Sequence, residues 1–333
     1  CWAATDADHT MRGVFLDTHT VGPDDLDLQP LTSTLDHWSL LEQADHDGLL
    51  AQISNAEVVV TNKVPLDKDI LLATDTLQLI CVAATGTNTI DLDSAAKRGI
   101  TVCNARAYAT TSVVEHVLSM MLAFSRQHRE YQQSVAQGDW GNASAFCLLD
   151  HPVRELAGQT LGIIGYGELG KAVARMGEVF GMKILVAQRP GTRGKPPAGR
   201  VSLPQLLAES DFVSLHCPLV EATHNLIDRQ ELKQKRPNAL LINTARGGII
   251  NEAALASALV RGEIGAAAID VLSEEPPRHG NPLLDSAIPN LVVTPHTAWA
   301  GLTARQALVN ELAANIRAWL EGHPRNVVAG PCP

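Results

Sequence analysis

Short, nearly uninterrupted apolar runs alternate along this chain with segments whose apolar residues recur every three or four positions. Runs at Arg12 to Asp17, Glu57 to Thr61 and Leu77 to Ala84 predict strands. Their lack of polar alternation predicts parallel sheets covered on both faces. From Thr110 to about Gln137 the period changes: Val113, Val114, Val117, Leu118, Met121, Leu122 and Phe124 share one face of a 3.6-residue repeat, which predicts one long helix. Residues 138–155, with Trp140, Phe146, Leu148 and Leu149, follow neither period and read as an irregular arm.

Beyond residue 160, strand-like runs begin near Leu161, Lys183, Asp211, Ala239, Ala266 and Leu291, spaced 22, 28, 28, 27 and 25 residues apart. A parallel crossover needs a dozen or more residues, so this spacing predicts repeated strand–helix units. The Gly- and Pro-rich stretch Pro190 to Gly199 reads as a loop, and Leu302 to Leu320 as a last helix with Leu308, Leu312, Ile316 and Trp319 on one face. Gly322 and Pro324 stop it. The fold class expected is α/β: two Rossmann-like, doubly wound parallel-sheet domains with an active-site cleft between them. The substrate domain is expected to be discontinuous, residues 11–106 plus 297–333, around a dinucleotide-binding domain at 107–296.

Composition narrows the function classes. A length of 333 residues suits about two domains. Lys plus Arg is 26 against 36 Asp plus Glu, a net charge of -10, which argues against nucleic-acid and anionic-membrane partners. No run approaches the length of a membrane span. The cysteines Cys1, Cys81, Cys103, Cys147, Cys217 and Cys332 form no CxxC pair and read as thiols of a cytoplasmic protein. No metal site is expected. Met11 precedes the first strand and reads as the natural start, with residues 1–10 a non-native or disordered leader.

The run Leu161–Ile164 leads directly into Gly165-Tyr166-Gly167-Glu168-Leu169-Gly170 and then a helical segment from Lys171. This is G-x-G-x-x-G in its strand–turn–helix setting, with Gly165 for the turn, Gly167 for close approach of a pyrophosphate and Gly170 for helix–strand packing. The helix N-terminus offers free N–H groups to the phosphates. The next strand, Lys183 to Ala187, ends in Gln188 and Arg189 where an NAD site usually presents an acid for the ribose hydroxyls. Gln188 removes repulsion toward a 2′-phosphate, and Arg189 with Arg193, Lys195 or Arg200 nearby offers it charge-assisted bonds. NADP is therefore favoured over NAD. The alternative is that these bases are solvated and Gln188 still serves NAD.

Ligands of open parallel sheets sit beyond the carboxyl ends of the strands. There the sequence supplies Thr244-Ala245-Arg246 after one strand, Asp270 to Pro276 after the next, and Pro295-His296-Thr297 after the last. Singly, Arg246 suits a surface ion pair, Glu275 a helix-start acid and His296 a turn. Together on the phosphate-loop rim they form a catalytic constellation.

At these residues the chain resembles the D-isomer-specific 2-hydroxyacid dehydrogenases, most closely the glycerate dehydrogenase (hydroxypyruvate reductase) branch, over residues 11–325. The segments carrying the resemblance include Thr61 to Pro65, Ala84 to Asn88, Phe146 to Gly170, Leu215 to Leu219, Asn243 to Gly248, Asp270 to Pro276, and Pro295-His296. It implies NAD(P)H-dependent reduction of hydroxypyruvate or glyoxylate to a D-2-hydroxy acid, reversibly. Arg246 would bind the substrate carboxylate and carbonyl oxygen, His296 donate the proton, and Glu275 orient the ring and favour its charged form. Thr85, Gly86, Asn62 and Lys63 would contact substrate, although Lys63 equally suits the surface. Asp270, Thr244, Ala245, His216, Cys217, Pro218 and Ala298 would line the cofactor, and Trp299 would wall the pocket or pack in a core. A homodimer is implied, using the long helix and the arm. The rival readings are a formate- or phosphite-type dehydrogenase, which Glu275 disfavours, and a nucleotide-sensing, corepressor-like interaction protein.

Overall fold

A computed structural model describes residues 10–45, 47–192 and 194–330. Most of the expected leader, and Arg193 of the basic loop, lie outside the described residues. Two structural units divide the chain. One runs up to Ala109 and resumes at Ala300; the other is Thr110–Trp299.

The first unit is built on β1 (Arg12–Phe15), β2 (His37–Leu40), β3 (Val58–Thr61), β4 (Leu79–Val82), β5 (Thr101–Asn104) and, from the far end of the chain, β12 (Val327–Ala329). They form a six-stranded sheet in the order β12-β5-β4-β3-β1-β2. All neighbours are parallel except β12, which pairs antiparallel with β5. Every residue of β3, β4 and β5 is buried. That is why the β3 and β4 segments read as continuous apolar runs. The outer strand β2 is mostly exposed, and its mixed polar residues carry no strand signal. Asp67 and Asp91 cap the helices Lys68–Ala73 and Leu92–Lys97 by accepting backbone N–H bonds.

The second unit holds β6 (Thr160–Ile164), β7 (Lys183–Val186), β8 (Phe212–Leu215), β9 (Leu240–Asn243), β10 (Ala266–Ile269) and β11 (Leu291–Val293). Their order is β11-β10-β9-β8-β6-β7, all parallel. Outside β7, Ala187 and Val201 form an isolated parallel bridge. The chain order reverses between β6 and β8, the position at which doubly wound sheets bind nucleotides. Ser202, Asp228 and Asn251 cap the helices Leu203–Glu209, Arg229–Gln234 and Glu252–Val260. No helix among the described residues is long and apolar enough to cross a membrane.

The long helix expected over Thr110 to Gln137 is two helices, Thr110–Arg126 and His128–Gln137. Gln127 between them is left-handed, with φ of 52°, and its side-chain amide donates to the Phe124 carbonyl at 2.8 Å. The apolar stripe ends at Phe124, and the second helix buries no residue. Nothing in its packing requires the first helix axis to continue.

Candidate active site

The phosphate loop occupies the switch point of the second sheet. Gly165 has φ of 92°, and a Cβ there would lie 2.5 Å from the Cys217 backbone nitrogen. A Cβ on Gly170 would fall 2.0 Å from the Gly165 carbonyl oxygen. These two glycines let strand, turn and helix touch. Gly167 differs, since a Cβ there meets nothing within 4 Å. It is also the N-cap of helix Glu168–Val179 and supplies no side-chain cap, so the helix start presents N–H groups to open space. The Glu168 carboxylate accepts from the Thr110 hydroxyl, and Leu169 is half-buried.

Beside this loop stand residues that follow β8 and β9 and are expected at a cofactor. His216 bonds Ser214 Oγ through Nε2 at 2.8 Å, while its buried Nδ1 has no partner among the described residues. Burial pulls the His216 pKa down to about 4, so the ring is neutral. Burial pushes the Cys217 thiol up to about 11, which rules out a thiolate nucleophile at neutral pH. Pro218 is exposed. The buried Thr244 hydroxyl also lacks a partner among the described residues. Uncapped helix start, open Gly167 and two orphaned buried polar atoms fit a dinucleotide that brings its own donors and acceptors.

At the end of β7, Gln188 donates to the Thr192 carbonyl at 3.3 Å, and Arg189 is exposed. The Arg200 guanidinium lies 4.6 Å over the Tyr166 ring and donates to the Ala187 carbonyl at 3.3 Å. The basic loop therefore contributes an ordered cation against the glycine loop, a placement the sequence could not distinguish from that of Arg189.

Asn243 ends β9, and its side chain clamps the next loop. It accepts from the Ala245 N–H at 3.0 Å and donates to the Arg246 carbonyl at 2.9 Å. Arg246 spends one N–H on the Ala245 carbonyl, at 2.7 Å, and its guanidinium has no carboxylate partner among the described residues. Gly247 presses this loop onto the next, since a Cβ would sit 1.9 Å from the Leu272 carbonyl oxygen. That second loop carries Glu275, whose Oε1 accepts the Leu272 N–H at 2.9 Å. Its Oε2 lies 2.7 Å from His296 Nδ1. The carboxylate fixes the proton on Nδ1 and leaves Nε2 without a protein partner among the described residues.

His296 itself has φ of 54°. Histidine tolerates this left-handed region better than most residues, and the turn is held from behind by Asp270. The Asp270 carboxylate is 1% exposed. It accepts the Thr294 hydroxyl at 2.6 Å and the N–H groups of Thr297 and Ala298, each at 2.9 Å. The Ala298 carbonyl is taken by the Ser112 hydroxyl at 2.7 Å. Asp270 and Ala298 thus build the turn that presents His296. The sequence pointed to them only through their expected place beside the cofactor. Trp299 is half-buried.

In the first unit, Thr85 and Gly86 follow β4, and Asn62 and Lys63 follow β3, all on the carboxyl rim of that sheet. Thr85 is held on both sides: its hydroxyl donates to the Ala105 carbonyl at 3.0 Å, and its carbonyl accepts from Asn104 Nδ2 at 2.7 Å. Asn62 is buried. Asn104, Asn243 and Asp17, which hold these loops, carry no functional signal in the sequence. Each is a short polar residue closing or following an apolar run, and that position is the one sign that could have found them.

Residues 118–298 match the model of the D-isomer specific 2-hydroxyacid dehydrogenase NAD-binding domain. The glycerate dehydrogenase of Methylorubrum extorquens is 46% identical over 282 residues, 85% of this chain and 88% of that protein. Among solved structures, the NADPH-dependent glyoxylate/hydroxypyruvate reductase of Sinorhizobium meliloti with NADP and malonate is similar, with a TM-score of 0.78 and 26% identity over 96% of this chain and 97% of that one. D-lactate dehydrogenase from Aquifex aeolicus with NAD and lactic acid reaches a TM-score of 0.80 at 27% identity, covering 96% of this chain and 100% of that one.

Proposed function

This chain belongs to the D-isomer specific 2-hydroxyacid dehydrogenase family, and we propose that it reduces hydroxypyruvate or glyoxylate to D-glycerate or glycolate, and catalyses the reverse. The observation that carries this reading is the Glu275–His296 pair at 2.7 Å, with Nε2 and the guanidinium on a neighbouring loop both lacking a side-chain partner among the described residues. The first unit takes the role of substrate domain and the second that of cofactor domain. A bound nicotinamide would supply the hydride to C2 of the oxo acid. Arg246 binds the substrate carboxylate and carbonyl oxygen, and so stabilises the negative charge that grows there. His296 Nε2–H delivers a proton to that oxygen as charge develops, and Glu275 keeps the ring oriented. In oxidation the neutral ring accepts the proton. Thr85, Gly86, Asn62 and Lys63 supply further substrate contacts from the rim of the first sheet.

The phosphate loop Gly165–Gly170, His216, Pro218, Thr244 and Ala245 hold the dinucleotide, and Gln188 reads its adenosine ribose. NADP(H) is the preferred form. A neutral Gln188 accepts a neighbouring phosphate, and Arg189 and Arg200 lie close to it in sequence to pair with it. Gln188→Glu should shift the ratio of kcat/KM values toward NADH by about tenfold or more, since like charges in contact cost several kcal/mol. Steady-state rates with both coenzymes measure it, and an unchanged ratio would assign the ribose to another residue. A panel of 2-oxo acids, each run with NADH and NADPH, tests the whole reading; absence of turnover would favour a nucleotide-sensing interaction protein. The acid at Glu275 weighs against a formate-type enzyme.

The working unit is a homodimer. Phe146 is 91% exposed and Leu149 84%, large apolar side chains on an arm with no helix or strand of its own. Light scattering should give twice the chain mass, and Phe146→Asp with Leu149→Asp should give the monomer.

A further inference from the structure

Asp17 follows β1 and is 1% exposed. Its carboxylate reaches across to the loop after β3 and accepts three consecutive backbone N–H groups: Asn62 at 2.9 Å, Lys63 at 2.6 Å and Val64 at 3.3 Å. The Thr61 hydroxyl closes the same turn on the Val64 carbonyl at 2.9 Å. In the first sheet the chain order reverses between β3 and β1. This is the switch point where open α/β sheets take ligands, and consecutive N–H groups there make an anion-binding nest. Here the nest is filled by the chain's own carboxylate.

A buried carboxylate with these donors is satisfied only while the loop keeps its shape, and the same three bonds hold the loop's backbone N–H groups on the carboxylate. Each therefore fixes the other. We propose that Asp17 is a positioning residue that sets the Asn62–Lys63 loop, and through it the affinity for the 2-oxo acid, without touching substrate or cofactor. This rests on the reading above that the loop contacts substrate.

Asp17→Asn keeps the shape but turns one acceptor into a donor that faces N–H groups. It should raise KM for hydroxypyruvate about tenfold, leave kcat within about twofold and leave KM for the coenzyme unchanged. Asp17→Gly empties the nest, and added formate should restore KM toward the wild-type value; in the wild type formate should only compete with substrate. Where the glycine variant does not fold, the asparagine variant, with its Tm measured, decides. The proposal is overturned if Asp17→Asn lowers kcat and raises both KM values together, as general loosening would do. It is equally overturned if a folded Asp17→Gly ignores formate. Asn62→Ala and Lys63→Ala separate the two readings. If they raise KM and Asp17→Asn does not, the positioning role fails. If they leave KM unchanged while Asp17→Asn raises it, the side-chain contacts fail and the role of Asp17 through the loop backbone stands.

Discussion

Substitution of His296 by asparagine or alanine is expected to lower kcat for 2-oxo acid reduction by about 10²–10⁴-fold, the span of positioned acid–base catalysis. Coenzyme affinity should stay within about twofold, because the glycine loop and helix start proposed to hold the dinucleotide are untouched. Asparagine is the cleaner variant. His296 has φ of 54°, a conformation asparagine adopts readily and alanine resists, so the loss then reports chemistry and not a distorted turn. Glu275→Gln provides the complementary result. The carboxylate 2.7 Å from Nδ1 accepts the Nδ1–H bond and so fixes the tautomer and orientation of the ring. An amide in its place can present either its oxygen or its N–H to Nδ1, so the ring loses its fixed tautomer and kcat should fall while coenzyme affinity holds. Stopped-flow binding of NADPH beside steady-state rates checks both variants. An unchanged kcat in His296→Asn would leave the reaction without its proton donor.

Lys235→Met is expected to stabilise the protein at neutral pH by several kcal/mol. Lys235 follows the helix Arg229–Gln234 and is 4% exposed; its Nζ has no hydrogen-bond partner among the described residues. Burial alone lowers the ammonium pKa from 10.5 to about 7, and each unit corresponds to about 1.4 kcal/mol. Below pH 7 the amine is charged in folded and unfolded chains alike, and the full penalty weighs on the fold. Between about 7 and 10.5 the unfolded chain holds a proton that the folded chain has released, so stability rises with pH. Above that range the penalty is gone. Methionine keeps the length of the stem and removes the charge, so urea midpoints of variant and wild type should differ most at and below pH 7 and converge by about pH 10. Parallel curves would show the amine to be solvated.

Features with a local period or a local motif are legible in the sequence itself. The β3 run Val58–Thr61 and the β4 run Leu79–Val82 are apolar because both faces are covered, and a strand buried on one face only would have alternated. Gly165 and Gly170 announce their loop because a φ above zero at the first and a 2.0 Å approach at the second leave no room for a side chain, while Gly167 between them keeps the helix start open. Arg246, Glu275 and His296 stand out because each follows the end of a strand, and parallel strands send their carboxyl ends to one side. Lys235 shows the opposite situation. In sequence it belongs to a basic run with Lys233 and Arg236 that looks solvated; in the fold Arg236 reaches Asp211 at 2.6 Å while Lys235 turns inward.

What the sequence alone determined is the strand–helix rhythm, the glycine turn Gly165–Gly170 and the places of Arg246, Glu275 and His296 just past strand ends. Those depend on neighbours within a few residues, where backbone geometry ties spacing to direction. Only the tertiary structure decided that the strand order reverses at β6 and β8, that Asp270 braces the His296 turn and that Asp17 occupies the nest after β3. Such pairings join groups 24 to 47 positions apart. No local period carries them, because a carboxylate finds its N–H partners only after the sheet has brought two loops to the same edge.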